Sequence, residues 1–172
     1  MDLKKISEGV YMANGEVAEI SGKELSLLRR TAASSPKGRS RICAHRSLKD
    51  QVQEMVIAVP RGCYIRPHKH LGKSESMHAI EGSADVVIFN DKGKAIKVFR
   101  ISAPGRKGVF YYRINKSVYH TIIVRSGYYI FHESTGGPFL RSASVAAPWA
   151  PDEKNAKEGL KFLKKAIAGI RK

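Results

Sequence analysis

Two histidines, His68 and His70, stand two residues apart, and Glu75 follows five residues after the second. On a β-strand such a pair of imidazoles points to one face. The gap to Glu75 is long enough for a short turn and a return onto a neighbouring strand. Two imidazoles and a carboxylate aimed into one space form a seat for a divalent metal ion. A buried Glu75 without a metal or a donor would be costly in an apolar interior. Pro67, just before the pair, suits an edge strand or the mouth of a barrel.

Closely spaced short strands are predicted around these residues. Glu54 to Val59 is apolar, and Pro60-Arg61-Gly62 turns it. Cys63 to His70 carries the histidines, and Ser76 to Ile80 follows, ending at Glu81-Gly82. Ala84 to Asn90 and Ala95 to Ile101 flank an Asp91-Lys92-Gly93 hairpin turn. Val109 to Ile114, Tyr119 to Arg125 and Tyr128 to Glu133 complete the set, the last two separated by a tight turn at Ser126-Gly127. Short strands with Gly or Pro turns argue for a sandwich or a barrel.

The flanks read differently. Val10 to Ala13 is a short strand ending at Asn14-Gly15. Ser21 with Glu24 three residues on is a capping box, so a helix over 22–33 follows, with Leu25, Leu28 and Ala32 on one face. At the other end, Pro151 and Asp152-Glu153 favour a helix start. Ala156, Leu160, Leu163, Ile167 and Ile170 then form an apolar stripe on a basic helix. The stripe fits packing on the barrel or a second subunit; an anionic membrane surface would also suit it.

The chain has 172 residues and 42% apolar composition, enough for one domain with a core. No run approaches a membrane span, and Lys4 and Lys5 precede no apolar core of a signal peptide. A cytoplasmic protein is expected. Cys43 and Cys63 do not form a Cys-x-x-Cys pair and are expected as small buried residues. The net charge of +16 attracts anionic ligands. Aromatic-interleaved basic motifs of RNA-binding proteins are missing, so a nucleic-acid partner is not expected.

Gly62, five residues, His68-Lys69-His70, four residues, Glu75, six residues and Gly82 resemble the first signature of the cupin superfamily. The wider frame, Gln53-Glu54-Met55 through Tyr64, Pro67, Lys73 and Glu75, is similar to the WbuC family of cupin metalloproteins. The resemblance implies an all-β double-stranded β-helix, the jelly-roll barrel, over 51–148. An N-terminal strand and helix extension over 1–50 and a C-terminal helix over 149–172 would pack on it. It also implies a fourth ligand, His120. Asn115 and Ser117 stand where the second cupin signature has Pro and Gly, Gly108 is one place early, and Arg125 lies near the position of its final Asn. The ion would be Fe, Mn, Ni, Co, Zn or Cu, with open positions for a ligand.

Further site candidates come from alternation. Tyr64 and Arg66 share the parity of His68 and His70, and Arg39, Arg41, Cys43 and His45 share one face. That face is either the barrel mouth, meeting an anion, or a solvated basic edge. Tyr112 is placed at the cavity rim and Lys73 in the turn between ligands. Of His132 and Glu133 only one can point inward, and the WbuC-like pattern favours Glu133. His78, opposite in parity to Glu75, is expected outside. The reading is a metal-dependent isomerase or epimerase on a sugar or sugar-nucleotide of surface polysaccharide biosynthesis. Glu133, Tyr112 or His45 would move protons, and Arg39, Arg41, Arg66, Lys73 and Tyr64 would bind substrate. An Fe(II) oxygenase and a non-enzymatic sugar-binding module are the alternatives, and a homodimer is compatible with the exposed strands.

Overall fold

The computed structural model describes residues 1–170. Among them are ten strands: β1 (Asp2–Ser7), β2 (Val10–Asn14), β3 (Ser40–Cys43), β4 (Val52–Pro60), β5 (His68–His70), β6 (Glu75–Phe89), β7 (Ala95–Ser102), β8 (Tyr111–Ile114), β9 (Tyr119–Gly136) and β10 (Ser144–Ala146). The helices are α1 (Gly22–Ser34) and α2 (Ala156–Ala168). No helix among the described residues is long and apolar enough to cross a membrane.

Two long strands organise the barrel. β6 and β9 pair twice, Glu75–Gly82 against Tyr129–Thr135 and Ala84–Phe89 against Tyr119–Val124. The sequence predicts each as two strands broken at a turn. Instead the register shifts between Ala79 and Glu81 and between Gly82 and Ala84, so bulges bend one continuous strand. Gly82 makes this possible. Its φ is +75°, and an added Cβ would lie 2.0 Å from the Tyr128 carbonyl oxygen. The bulges also flip the inward parity, from Met77 and Ala79 to Ala84 and Val86. One sheet half then runs β1-β2-β3-β4-β9-β6-β8, and the other runs β10-β5-β9-β6-β7.

The two halves face each other across one core. Ile57, Val59, Met77 and Phe131 from the first half meet Val86, Ile101, Ile122 and Val124 from the second. Each helix covers an outer face. The capping box of Ser21 and Glu24 starts α1 as the sequence predicts, and Leu28 and Ala32 pack on Ile42, Val56, Ala58 and Ile130. A short 3₁₀ turn, Glu153–Asn155, precedes α2. Leu160, Leu163, Ile167 and Ile170 pack on Val87, Phe89 and Tyr119, so the apolar stripe lies on the chain's own barrel. Ala156 of that predicted stripe is exposed. β1 was not predicted: Asp2, Lys4 and Lys5 give it no apolar period, and it survives as a polar edge strand.

Candidate metal centre

β5 is only three residues long, yet it carries both early ligand candidates. His68 pairs with His120 at the start of β9, and β10 closes its other side. The rings of His68 and His120 are 4.8 Å apart between centroids, and those of His68 and His70 are 5.1 Å apart. A ligand atom from each of His68, His70 and His120 lies within 4.8 Å of the others, a spacing that can hold a metal ion. Glu75 opens β6 beneath them, 2% exposed.

The hydrogen bonds orient the rings. Nδ1 of His68 lies 3.0 Å from the Arg66 carbonyl oxygen, and Nδ1 of His120 lies 2.9 Å from that of Val118. A carbonyl only accepts, so each Nδ1 carries the proton and each Nε2 keeps a lone pair aimed inward. Nε2 of His120 lies 2.6 Å from Oε1 of Glu75, and Nε2 of His70 lies 3.2 Å from Oε2. Although these distances are short, His120 Nε2 and both Glu75 oxygens are buried without a hydrogen bond of acceptable geometry. Acceptors that face acceptors in a dry site call for a cation between them, a proton or a metal ion.

Electrostatics agree with that donor set at His68 and Glu75. Burial, and then His120, lower His68 to about 3, which keeps it neutral. Burial opposes ionisation of Glu75, but His120 and His70 hold its carboxyl below the usual range. Burial also opposes a charged His120, and Glu75 overrides it and raises the imidazole. Neutral imidazoles and an ionised carboxylate are the forms that ligate metals.

Above the four lies Glu133. Its register partners Met55 and Met77 face the core, so it points inward as expected, while His132 faces out beside Glu54. Burial and Glu75 raise Glu133 to about 7, against the opposing pull of His70, His120 and Arg41. Tyr112 is buried beside it, its hydroxyl on the Met77 sulfur, and burial and Glu75 raise its pKa well above the usual value. Arg41 is exposed and close enough to act on both Glu133 and Cys43.

The remaining candidates lie elsewhere. Tyr64 and Arg66 do not share the cavity. The strand begins only at His68, so alternation does not reach back to them. Tyr64 lies under α2 against Gly159, its hydroxyl donating to the Pro151 carbonyl, and Arg66 binds the Ala147 carbonyl and Asp152. Arg39 turns away to pair with Glu153 at 3.1 Å. Lys73 donates to the Pro138 carbonyl at the rim. His45 is buried two residues beyond β3, its Nδ1 3.0 Å from the Glu54 backbone, outside the histidine cluster. The sequence reading missed Met12, Cys43, Met55 and Met77 as a sulfur-rich inner row, because cross-strand register is invisible in a single chain. Cys43 is buried and Cys63 half-buried, both as free thiols, and burial raises both.

Residues 20–101, just under half the chain, match a family described as a domain of unknown function, DUF6016. No curated protein matches the sequence. Among solved structures, a protein from Shewanella oneidensis is similar over 78% of this chain and 88% of its own, at 10% identity and a TM-score of 0.56. CapF, solved with the inhibitor 3-isopropenyl-tropolone, is similar over 63% of this chain and 31% of its own, at 15% identity and a TM-score of 0.51. The cupin domain of Schizosaccharomyces pombe Cnp3 matches over 57% of this chain and 64% of its own, at 13% identity and a TM-score of 0.45. The chain spans less than a third of CapF, and about a fifth to a quarter of a procruciferin and an oxalate decarboxylase that also match. With two sheet halves closed around one core and the likeness to the Shewanella oneidensis protein and CapF, the chain has a cupin-type jelly-roll fold.

Proposed function

We propose that the protein is a metal-dependent enzyme of the WbuC type. It would act on a small carbohydrate or sugar-nucleotide by moving a proton, as an isomerase or epimerase does. His68, His70, His120 and Glu75 would hold one divalent transition metal ion. The observation that carries this is the set of orphaned acceptors, His120 Nε2 with both Glu75 oxygens, buried in one cage. When bound, such an ion supplies Lewis-acid polarisation of a carbonyl or hydroxyl oxygen.

The chain's own residues supply the rest. Glu133, raised to about 7, is poised to take and return a proton near neutral pH. Tyr112 stays protonated and is suited to donate. Arg41 offers a cation at the mouth for an anionic substituent. Carbohydrate is the ligand class that the WbuC-like pattern implies, and CapF, which shares the fold, is described as a capsular polysaccharide assembling protein. Met77 and Met55 beside Glu133, with Cys43 next to Met55, weigh against the oxygenase alternative, since thioethers and thiols are readily oxidised.

Metal content of the purified protein, measured by mass spectrometry beside His70→Ala and His120→Ala, tests the cage. Near-stoichiometric metal in the parent and loss in both variants is expected. Solvent deuterium should then enter a sugar-nucleotide substrate in a Glu133-dependent way. A parent that binds no metal after reconstitution overturns the proposal.

A further inference from the structure

Four loops border the histidine cluster. Residues 44–51 join β3 to β4, 71–74 join β5 to β6, 115–118 join β8 to β9, and 137–143 follow β9. Hydrogen bonds knit them into one rim. The Phe139 amide donates to the Leu48 carbonyl at 2.7 Å, that of Gly137 to Gln51 at 2.7 Å, and that of Leu71 to Ala143 at 2.8 Å. The Ser117 hydroxyl accepts from the Gly72 amide and donates to the carbonyl of His70, itself a cage residue.

The side chains that this rim leaves in water are of two kinds. Leu48, Leu71, Phe139 and Leu140 are between 46% and 54% exposed. Single exposed leucines are ordinary, but four large apolar side chains on loops bonded to one another make one apolar edge. Arg46, Lys49, Lys73, Lys116 and Arg141 stand in the same loops. Asp50 is the only acid there, and its carboxylate accepts from the backbone amides of Arg46 and Ser47 at 2.9 and 3.3 Å.

That combination decides between occupants. A second copy of the chain docked rim to rim would set these cations against themselves within a screening length of about 8 Å, which opposes self-association. The apolar side chains also stand on separate loops rather than on one packed face. A rigid protein partner would have to match those loops in shape, and a fluid lipid surface would not. Apolar side chains flanked by Lys and Arg fit the acyl boundary and the headgroup layer of an anionic bilayer. The apolar stripe of α2 offers no such surface, because it packs on the barrel.

We propose that this rim docks the protein on an anionic membrane surface. Leu48, Leu71, Phe139 and Leu140 enter the acyl boundary, and the cations of the same loops meet the lipid phosphates. The histidine cluster then opens toward the bilayer. This docking does not depend on which reaction the cage performs.

Co-sedimentation of the full-length protein with vesicles at about 0.15 M salt tests it. The vesicles are phosphatidylcholine alone, or phosphatidylcholine and phosphatidylglycerol at two to one. The parent should bind the mixed vesicles about tenfold or more tighter than the neutral ones. Phe139→Asp/Leu140→Asp and Lys49→Glu/Arg141→Glu should each weaken that binding about tenfold or more, with metal content and melting temperature unchanged. Two controls should bind within about twofold of the parent. Phe110→Asp alters an equally exposed side chain beside His78 on the barrel flank. Arg106→Glu/Lys107→Glu makes the same charge change in the loop beside Gly82, roughly 24 Å along β6 from Glu75. Metal-free His70→Ala should bind vesicles as the parent does, so a failed cage and a failed docking rim give different results. Sedimentation without lipid checks the rival occupant, and a dimer abolished by Phe139→Asp/Leu140→Asp would assign the rim to a second copy and overturn the proposal. No binding of the parent to mixed vesicles, undiminished binding by either rim variant, or equal loss in either control would overturn it as well.

Discussion

Replacing Glu75 by Gln changes one atom type in the cage and removes its negative charge. In the metal-free protein, His120 Nε2 and both Glu75 oxygens are buried without hydrogen bonds. Each such group costs about 1–3 kcal/mol when left unmet, and an ion among them relieves that penalty. At a free ion concentration of a hundred times its dissociation constant, the parent should gain about 2.7 kcal/mol. For a domain of this size that is a rise of roughly 5–11 °C in melting temperature. Loss of the anionic ligand should weaken binding by about a hundredfold or more, or ~2.7 kcal/mol. The same ion concentration then stabilises Glu75→Gln by only about 0.4 kcal/mol, a shift of roughly 1–2 °C. Thermal unfolding after chelation, followed by readdition of the ion, reads both values. The chelated variant should melt no lower than the chelated parent at alkaline pH, because the Gln amide can donate to a neutral His120 Nε2 where a carboxylate cannot. A metal-induced shift of equal size in both proteins would refute the reasoning, for it would place the ion elsewhere.

Three further outcomes follow from named contacts. Glu133→Gln should keep its metal while solvent proton exchange into substrate falls by about 10²–10⁴-fold; in the parent, exchange should rise as pH climbs through about 7, because Glu133 acts as base only when ionised. Asp85→Asn should lower stability by about 2 kcal/mol, roughly 4–8 °C by calorimetry. Burial opposes the charge of Asp85, but hydrogen bonds from Arg100 and Arg125 outweigh this and depress its pKa. Its contribution is therefore present above the ordinary carboxylate range and lost as pH falls through the depressed value, which melting curves from neutral to acid pH should show in the parent and not in the variant. Gly159→Ala should destabilise despite a helix-propensity gain of about 1 kcal/mol, because the new Cβ would lie 2.3 Å from the buried Tyr64 ring. Overpacking of about 1–3 kcal/mol is expected to win, and in a Tyr64→Ala background the same Gly159→Ala change should no longer destabilise.

The His68, His70 and Glu75 group was legible because it is written in short intervals, whereas His120, which the structure brings beside the two histidines, came only from the cupin-like resemblance. His-x-His on a strand and a carboxylate one turn later survive almost any detail of the surrounding fold. Residues whose role depends on long-range partners were not legible. Arg39 has the parity of Arg41, yet Glu153, 114 positions away, draws it off. Tyr64 and Arg66 fail for a local reason: the strand begins after Pro67, which has no N–H to give to a ladder. The strand breaks assigned at Glu81-Gly82 and Ser126-Gly127 reflect the same ambiguity. Glycine at a bulge and glycine in a hairpin look alike in sequence, and only the pairing of β6 with β9 on both sides of Gly82 separates them.

That continuity has consequences for the site. A hairpin at Gly82 would release the two halves of β6 from each other. A bulge keeps Glu75 and the inward row of Ala84, Val86 and Ile88 on one strand, and the matching bend in β9 does the same for His120 and Glu133. His120 at one end of β9 and Glu133 near its other end are therefore fixed by a single backbone, paired along nearly its whole length with the strand that carries Glu75. The inward parity must flip between the sheet halves for an even-numbered His120 and an odd-numbered Glu133 to face one cavity. The bulges supply that flip, so Gly82 serves the site although its own backbone lies at the corner, away from His120 and Glu133.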